Sequence, residues 1–425
     1  MSHQQDISRF ISDGKFDYGR VVRYYRKEIM HWTNATILAD LLNEFLDDEE
    51  EVSERWVQRM EKDNKVPLDK KRRWLIATLL NIPPAYLGLT VTKTPLPPYD
   101  EIKLVIPRKI MRIDFCEYDN VLKGIWACPY QELDDTLIRI YQLEHATLFG
   151  HLKQKNQSGR LLCEYLMAGA NIQRTQGYLD SAIGYLNDAI AISKEKAFFD
   201  LEAKAYYLRG YCHHEISRIS RNKQAHQNNK SLSIIDSQIA VERLEEAKRN
   251  RIFVSSAFVG AAYEQYGSNL IYNVQDQKER IISLKIIDRG GRIITNNNRQ
   301  DPYFFNITPE WYYIGKAQAY IGLGWAKSAL KDLRYLTGDP RRMRRFLTAN
   351  IAEAEAYVVN GEIETAVAYA EAALEVSRDL RSNLHIARID RLYQSLRQNE
   401  KYTSCREVAR LGVHLLQIQQ PELFR

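Results

Sequence analysis

One spacing of small, aromatic and glycine residues recurs along this chain, and it limits what the chain can fold into. Ala354, Tyr357, Gly361, Ala366, Ala370 and Ala373 stand at offsets of 3, 7, 12, 16 and 19. The same offsets recur at Ala317, Tyr320, Gly324, Ala329, Leu333 and Leu336, and again at Ala170, Gln173, Gly177, Ala182, Leu186 and Ala189. A split copy has Gly210 and His213, then Ala240, Leu244 and Ala247, with 18 extra residues between its halves. Steps of three and four residues place the small side chains on one helical face, where they let a second helix approach closely. The glycine supplies a turn that a Cβ would obstruct. Each copy therefore reads as two antiparallel helices joined at the glycine. A pair of that kind cannot bury its apolar face alone, so copies must stack.

Composition agrees with a helical chain. Glycine and proline are scarce, at 20 and 12 of 425 residues, while Ala, Leu, Glu, Lys and Arg fill long stretches. The expected class is all-α. The clearest break is residues 90–98, Thr-Val-Thr-Lys-Thr-Pro-Leu-Pro-Pro, where proline removes donors and stiffens the backbone. The expected domains are a small unit at 1–89, a linker at 90–100 and a repeat array at 101–425. Helices at 133–154 and 382–419 are expected to cap that array. Residues 288–308, with Gly290, Gly291, three asparagines and Pro302, read as irregular, and residues 218–230 could extend a helix.

The repeat resembles the tetratricopeptide repeat, whose stacked helix pairs make a superhelix with a concave inner face. The last two copies start 37 residues apart, longer than the roughly 34 of that family. The resemblance implies a ligand groove on the inner face, and projecting the pattern puts Asn171, Arg174, Tyr207, Tyr211, His214 and Gln318 there. Amides could hold a peptide backbone and tyrosines could supply apolar contact. The implied partner is a peptide or another protein. The alternative is that these side chains pack between helices.

In the first unit, Tyr18, Val22, Tyr25 and Ile29 step at helical spacing, Thr33 or Asn34 can cap a helix over 35–45, and Ser53 can cap one over 54–62. A further helix is expected over 68–80, followed by Ile82-Pro83-Pro84 and a last turn at 85–89. The order of these elements, with Trp32-Thr33-Asn34-Ala35, residues 52–61 (Val-Ser-Glu-Arg-Trp-Val-Gln-Arg-Met-Glu) and Arg73-Trp74-Leu75, resembles the lambda-repressor-like, or XRE-type, helix-turn-helix domain. The resemblance implies that helix 53–62 lies in the major groove of double-stranded DNA. Ser53, Arg55, Trp56, Gln58 and Arg59 become candidate base readers, with Trp56 better suited to packing. Asn34 is the implied phosphate contact, and Lys70, Lys71, Arg72 and Arg73 could hold phosphates as point charges. Members of the family often dimerise.

One departure stands out. A tight turn usually joins the second and third helices of that domain, whereas residues 42–51 intervene here with five consecutive acids, 47–51. Residues 1–89 carry 14 Lys and Arg against 15 Asp and Glu, a net of −1, and six of those acids lie within 44–51. Next to a groove-reading helix such a run repels phosphate unless it is turned away or bound. Arg341, Arg342, Arg344 and Arg345 form a basic cluster that could answer it or simply begin a helix in solvent.

Catalysis finds no constellation. Gly322-Leu323-Gly324 lacks the third glycine and preceding strand of a dinucleotide site, and no Walker sequence is present. Cys116 and Cys128 stand 12 apart without a second ligand pair, and His213-His214 diverge by about 100° on a helix. No metal or cofactor is expected. Apolar runs are far shorter than the ~20 residues of a membrane helix, residues 1–20 lack a signal-peptide core, and five cysteines are an odd number for a disulfide framework. The chain reads as a cytoplasmic, dimeric DNA-binding transcriptional regulator. The alternative is a tetratricopeptide scaffold whose first unit no longer binds DNA.

Overall fold

The structure, a computed structural model, describes residues 10–12, 15–47, 50–63, 67, 69–89, 113–127, 133–149, 152–273, 276–295, 307–336 and 343–424. It is all-α apart from one two-residue antiparallel pairing, Ile11–Ser12 with Lys15–Phe16. By internal packing the chain divides into two units: Met1–Ile102 together with Asp390–Arg425, and Lys103–Ile389.

The first unit begins with α1, Tyr18–Tyr24, capped by the Asp17 carboxylate and continued by a π turn at Tyr25–Ile29. Helix α2 is Thr36–Asn43, α3 is Glu54–Lys62 and α4 is Lys70–Leu80, with a 3₁₀ turn at Pro84–Leu87. Gly19 lets α1 lie directly on α3, since a Cβ there would come within 2.7 Å of the Met60 and Glu61 carbonyl oxygens. The buried Arg26 side chain then joins three segments. It pairs with Glu61 on α3 at 2.6 and 2.9 Å and donates to the Trp32 and Thr33 carbonyls at 2.5 and 2.9 Å.

The second unit is a run of antiparallel helices. They are α5 Phe115–Ala127, α6 Asp134–Phe149, α7 Leu152–Gln176, α8 Leu179–Glu195, α9 Phe199–Ile219 and α10 Lys223–Arg249. Then come α11 Ser256–Ile271, α12 Gln277–Thr295, α13 Pro309–Gly322, α14 Ala326–Leu333, α15 Met343–Asn360 and α16 Ile363–Asp379. Consecutive helices pack as in a solenoid, and α7, α9, α11, α13 and α15 also stack on one another where they are neighbours in that series. The repeat small residues Ala182, Ala189, Ala240, Ala317, Ala329, Ala354 and Ala366 are all fully buried.

Turn chemistry explains the glycines and also where they are missing. Gly177, Gly324 and Gly361 have φ of 90, 76 and 85° and close α7, α13 and α15. At each, two amides return to the last carbonyls of the helix, as when Gly361 N–H reaches Val358 O and Glu362 N–H reaches Tyr357 O. Ala197, Arg251 and Arg381 make the same closure after α8, α10 and α16, with φ of 53, 57 and 51° and no glycine.

Gly210, the first small residue of the split copy, lies inside α9 against the Asp236 Cβ on α10, and the turn between these helices is Ser220 to Asn222, where Asn222 caps α10. One expectation is corrected here: Gly290 and Gly291 do not break the chain. They lie within α12, where Gly290 meets Gly260 of α11 and Gly291 lies under the Tyr312 ring, so the glycines serve close approach. The remainder of that stretch, 296–306, and the linker residues 90–100 lie outside the described residues.

Helix α17, Asn383–Gln398, contains the division between the units, and α18, Arg406–Gln419, follows it. The expectation that the helices at 382–419 cap the array is therefore corrected for residues 390–419, which belong to the first unit. Ala409, Val413 and Leu416 of α18 sit in the same core as Leu41, Trp74, Leu75 and Leu79. Burying a Val or Leu stabilises by about 1.5–3 kcal/mol. Arg397, only 3% exposed, donates to the Thr78 and Leu79 carbonyls at 2.5 and 2.7 Å and to the Thr403 carbonyl at 2.8 Å, while Trp32 Nε1 donates to the Ser404 carbonyl at 3.0 Å. The guanidinium thus closes the carbonyl end of α4, where a cation is favoured.

Arg397→Ala should remove these hydrogen bonds from the end of α4 and cost about 3 kcal/mol locally, read as roughly hundredfold faster amide exchange in α4. Ala197→Gly should stabilise the α8–α9 turn by about 1 kcal/mol, measurable as a higher denaturation midpoint.

Candidate nucleic-acid interface and the inner face of the helical array

In the first unit the starts of α2 and α3 meet. Ser53 caps α3, its hydroxyl accepting from the Trp56 amide at 3.3 Å, and Val57 and Met60 turn into the core. The Thr36 hydroxyl lies 2.8 Å from both Asn34 Oδ1 and Glu54 Oε2, so its single proton serves one acceptor at a time. Asn34 Oδ1 also accepts from the Thr36 amide at 3.0 Å, and Gln58 donates to Glu54 Oε1 at 2.7 Å. Asn34, Thr36, Glu54 and Gln58 therefore form one polar seam across the two helix starts.

Arg55, Gln58 and Arg59 are exposed on α3, with Arg59 Nε leaning at 3.4 Å on the Arg55 carbonyl, while Trp56 is half-buried against the core. The sequence pattern placed α3 and its cap correctly because the cap, the charged outer face and the Val57/Met60 inner face are all local signals. It missed Glu54, whose carboxylate already takes up Gln58.

The acidic stretch is an excursion, with both of its ends fastened to one side chain. Asn43 Nδ2 donates to the Val52 carbonyl at 3.0 Å, and Asn43 Oδ1 accepts from the Val52 amide at 2.8 Å. The amide imitates a strand partner, so the chain leaves and re-enters the helix pair at one point. At the outer side, Lys71 Nζ lies 3.3 Å from Asp47 Oδ2 and 3.5 Å from Glu50 Oε2, and Arg72 Nη2 donates to the Glu50 carbonyl at 3.1 Å. Of the four predicted cations on α4, Lys71 and Arg72 are thus engaged within the unit and Lys70 is exposed. Arg73 holds the Pro67 and Leu87 carbonyls.

In the second unit the six inner-face residues fall on α7, α9 and α13. Asn171 is buried and accepts from Arg174 Nη2 at 2.9 Å. Tyr207 packs edge-on against Tyr211 at 5.1 Å and Phe258 at 5.4 Å, and its carbonyl accepts from Gln265 at 3.0 Å. His214 lies edge-on to Tyr272 at 5.2 Å, whose hydroxyl donates to the Gln318 carbonyl at 3.1 Å. Burial, and then the Arg218 charge, push the His214 pKa down to about 3, so the imidazole is neutral.

Sequence reading missed what closes this face. Arg388 on α17 pairs with the buried Glu215 on α9, Nε to Oε2 at 2.6 Å, and Arg218 pairs with Glu355 on α15. Burial alone would raise the Glu215 carboxyl, but Arg388 and Arg218 hold it well below the usual range. These partners are 173 and 137 residues apart, a separation no local pattern reports. Arg341 and Arg342 lie outside the described residues, as do the side chains of Arg344 and Arg345.

Compared with protein-family models and with curated proteins, the chain matches none. Among the described residues no group of three or more His, Cys, Asp or Glu is placed to hold a metal ion, and no helix is long and apolar enough to cross a membrane.

Glu264 on α11 is buried, the Ser268 hydroxyl donates to it at 2.8 Å, and burial pushes its pKa up to about 7. The folded state then holds a proton that the unfolded chain has released, so this group costs stability increasingly as pH rises from about 4.5 to 7. Glu264→Gln should match the parent near pH 4.5 and exceed it by on the order of 3 kcal/mol at pH 8, followed by denaturation midpoints across that range.

Proposed function

We propose that this protein is a DNA-binding transcriptional regulator whose helical array senses a peptide or protein partner. The observation that carries the reading is the meeting of the α2 and α3 starts on one surface, with Arg55 and Arg59 exposed beside the Asn34–Thr36–Glu54–Gln58 seam. Two helix starts so placed can meet phosphate with one and base edges with the other. Arg55 is the side chain best suited to a bidentate contact with guanine, and Lys70 to a phosphate. In a homodimer the two α3 helices would read two half-sites.

The inner face of the array supports the sensing half of the proposal through its buried polar side chains. A peptide there must displace Glu215–Arg388 or Arg218–Glu355, so only a ligand that replaces those pairings would bind. The thiols Cys163 and Cys212, buried and free, fit a reducing, cytoplasmic setting. A scaffold without DNA binding is the second reading, favoured by the engagement of Lys71 and Arg72 with the acidic stretch.

Selection of duplexes from a random pool at about physiological salt separates the two. The full-length chain should enrich a two-fold motif, and Arg55→Ala/Gln58→Ala should lose it, with affinity falling by about 1–3 kcal/mol per base contact removed. Failure of the full-length chain to enrich any sequence would leave the scaffold.

A further inference from the structure

We propose that the acidic stretch between α2 and α3 is a built-in phosphate mimic that occupies Lys71 and Arg72 until DNA displaces it. The inference rests on the DNA-binding reading and concerns the regulation of that surface. Three features support it. First, the stretch is anchored: the paired Asn43–Val52 hydrogen bonds fix both of its ends, so Asp47 and Glu50 are held near the start of α4. Second, two of the acids land on a cation. Asp47 and Glu50 converge on a single ammonium, as two phosphate oxygens would, and the Glu50 carbonyl takes the neighbouring guanidinium. Third, the contact can be displaced. The Asp47 side chain is 83% exposed and that of Glu50 37% exposed, whereas the Lys71 side chain is 17% exposed. Pairs so open to water are weak and screened, while duplex phosphate carries a dense charge and gains from counterion release.

The other residues of α4 leave the exchange open. Asp69 caps the helix through the Lys71 and Arg72 amides, so the helix start does not need the acidic stretch, and Arg73 is committed to the Pro67 and Leu87 carbonyls. Lys71 and Arg72 are therefore the cations that change partner. Binding any duplex must first break their internal contacts, which lowers affinity for all sequences alike and leaves base discrimination on α3 untouched. The acidic stretch thus lowers occupancy at every DNA site and leaves the ranking of sites to α3.

The test uses the full-length chain and a short random-sequence duplex, titrated between about 50 and 200 mM salt. Asp47→Asn/Glu50→Gln should bind roughly three- to tenfold more tightly than the parent, with a salt slope steeper by about one for the freed phosphate contact. Adding Lys71→Gln to that variant should abolish both gains. Equal affinity and slope for parent and variant overturns the mimic while leaving DNA binding standing. A gain that survives Lys71→Gln also overturns it, because the effect is then net charge alone. Absence of binding by parent and variant at the lowest salt overturns the DNA-binding reading itself, and the mimic with it.

Discussion

The first unit depends on one buried guanidinium. Arg26 is nearly inaccessible, and leaving it unpaired would cost several kcal/mol, so Glu61 and the Trp32 and Thr33 carbonyls must stay where they are. Glu61 is the carboxyl end of α3 and Thr33 is the approach to α2. One side chain therefore holds the last turn of α3 against the chain that enters α2. Gly19 adds a steric condition, because α1 can reach α3 only where no Cβ intervenes. With its carboxyl end clamped, α3 keeps a fixed direction, and its outer face carries Arg55, Gln58 and Arg59.

The second unit solves its polar problem differently. Helix α9 carries histidine, arginine, glutamate and tyrosine at positions that face other helices, and its Glu215 and Arg218 are paired by reaching across to α17 and α15. Breaking either pair by removing one partner would leave a buried charge uncompensated.

How much of this could be read from the residues follows from the range of each signal. Ser53 ahead of Glu54, and Gly177, Gly324 and Gly361 at the ends of small-residue helices, are local and were legible. Ala197, Arg251 and Arg381 adopt the same left-handed closure without a glycine to announce it, because helix packing on both sides outweighs a local cost of about 1 kcal/mol. Gly290 and Gly291 looked like breakers because sequence shows glycine's freedom and not the α11 helix or Tyr312 ring that fills the space. The amphipathic pattern of α18 says only that one face is buried. Which core receives Val413 and Leu416 is decided by long-range fit. The polar seam was half legible: Asn34 and Gln58 stood out by type, while Glu54 looked like an ordinary first-turn acid.

That long-range fit has a consequence for synthesis. Arg397 closes α4 from 319 residues beyond Thr78, and α18 supplies part of the core that α2 and α4 share. At about 5–20 residues per second, translation takes roughly 16 to 64 s to cover that distance. Throughout that interval the helices of the first unit are outside the ribosome with an apolar face uncovered and the carbonyl end of α4 open. Until then the first unit lacks part of its core. Every helix of the second unit is made before the first unit is finished, so a chain broken anywhere between them lacks the segment that completes the first core.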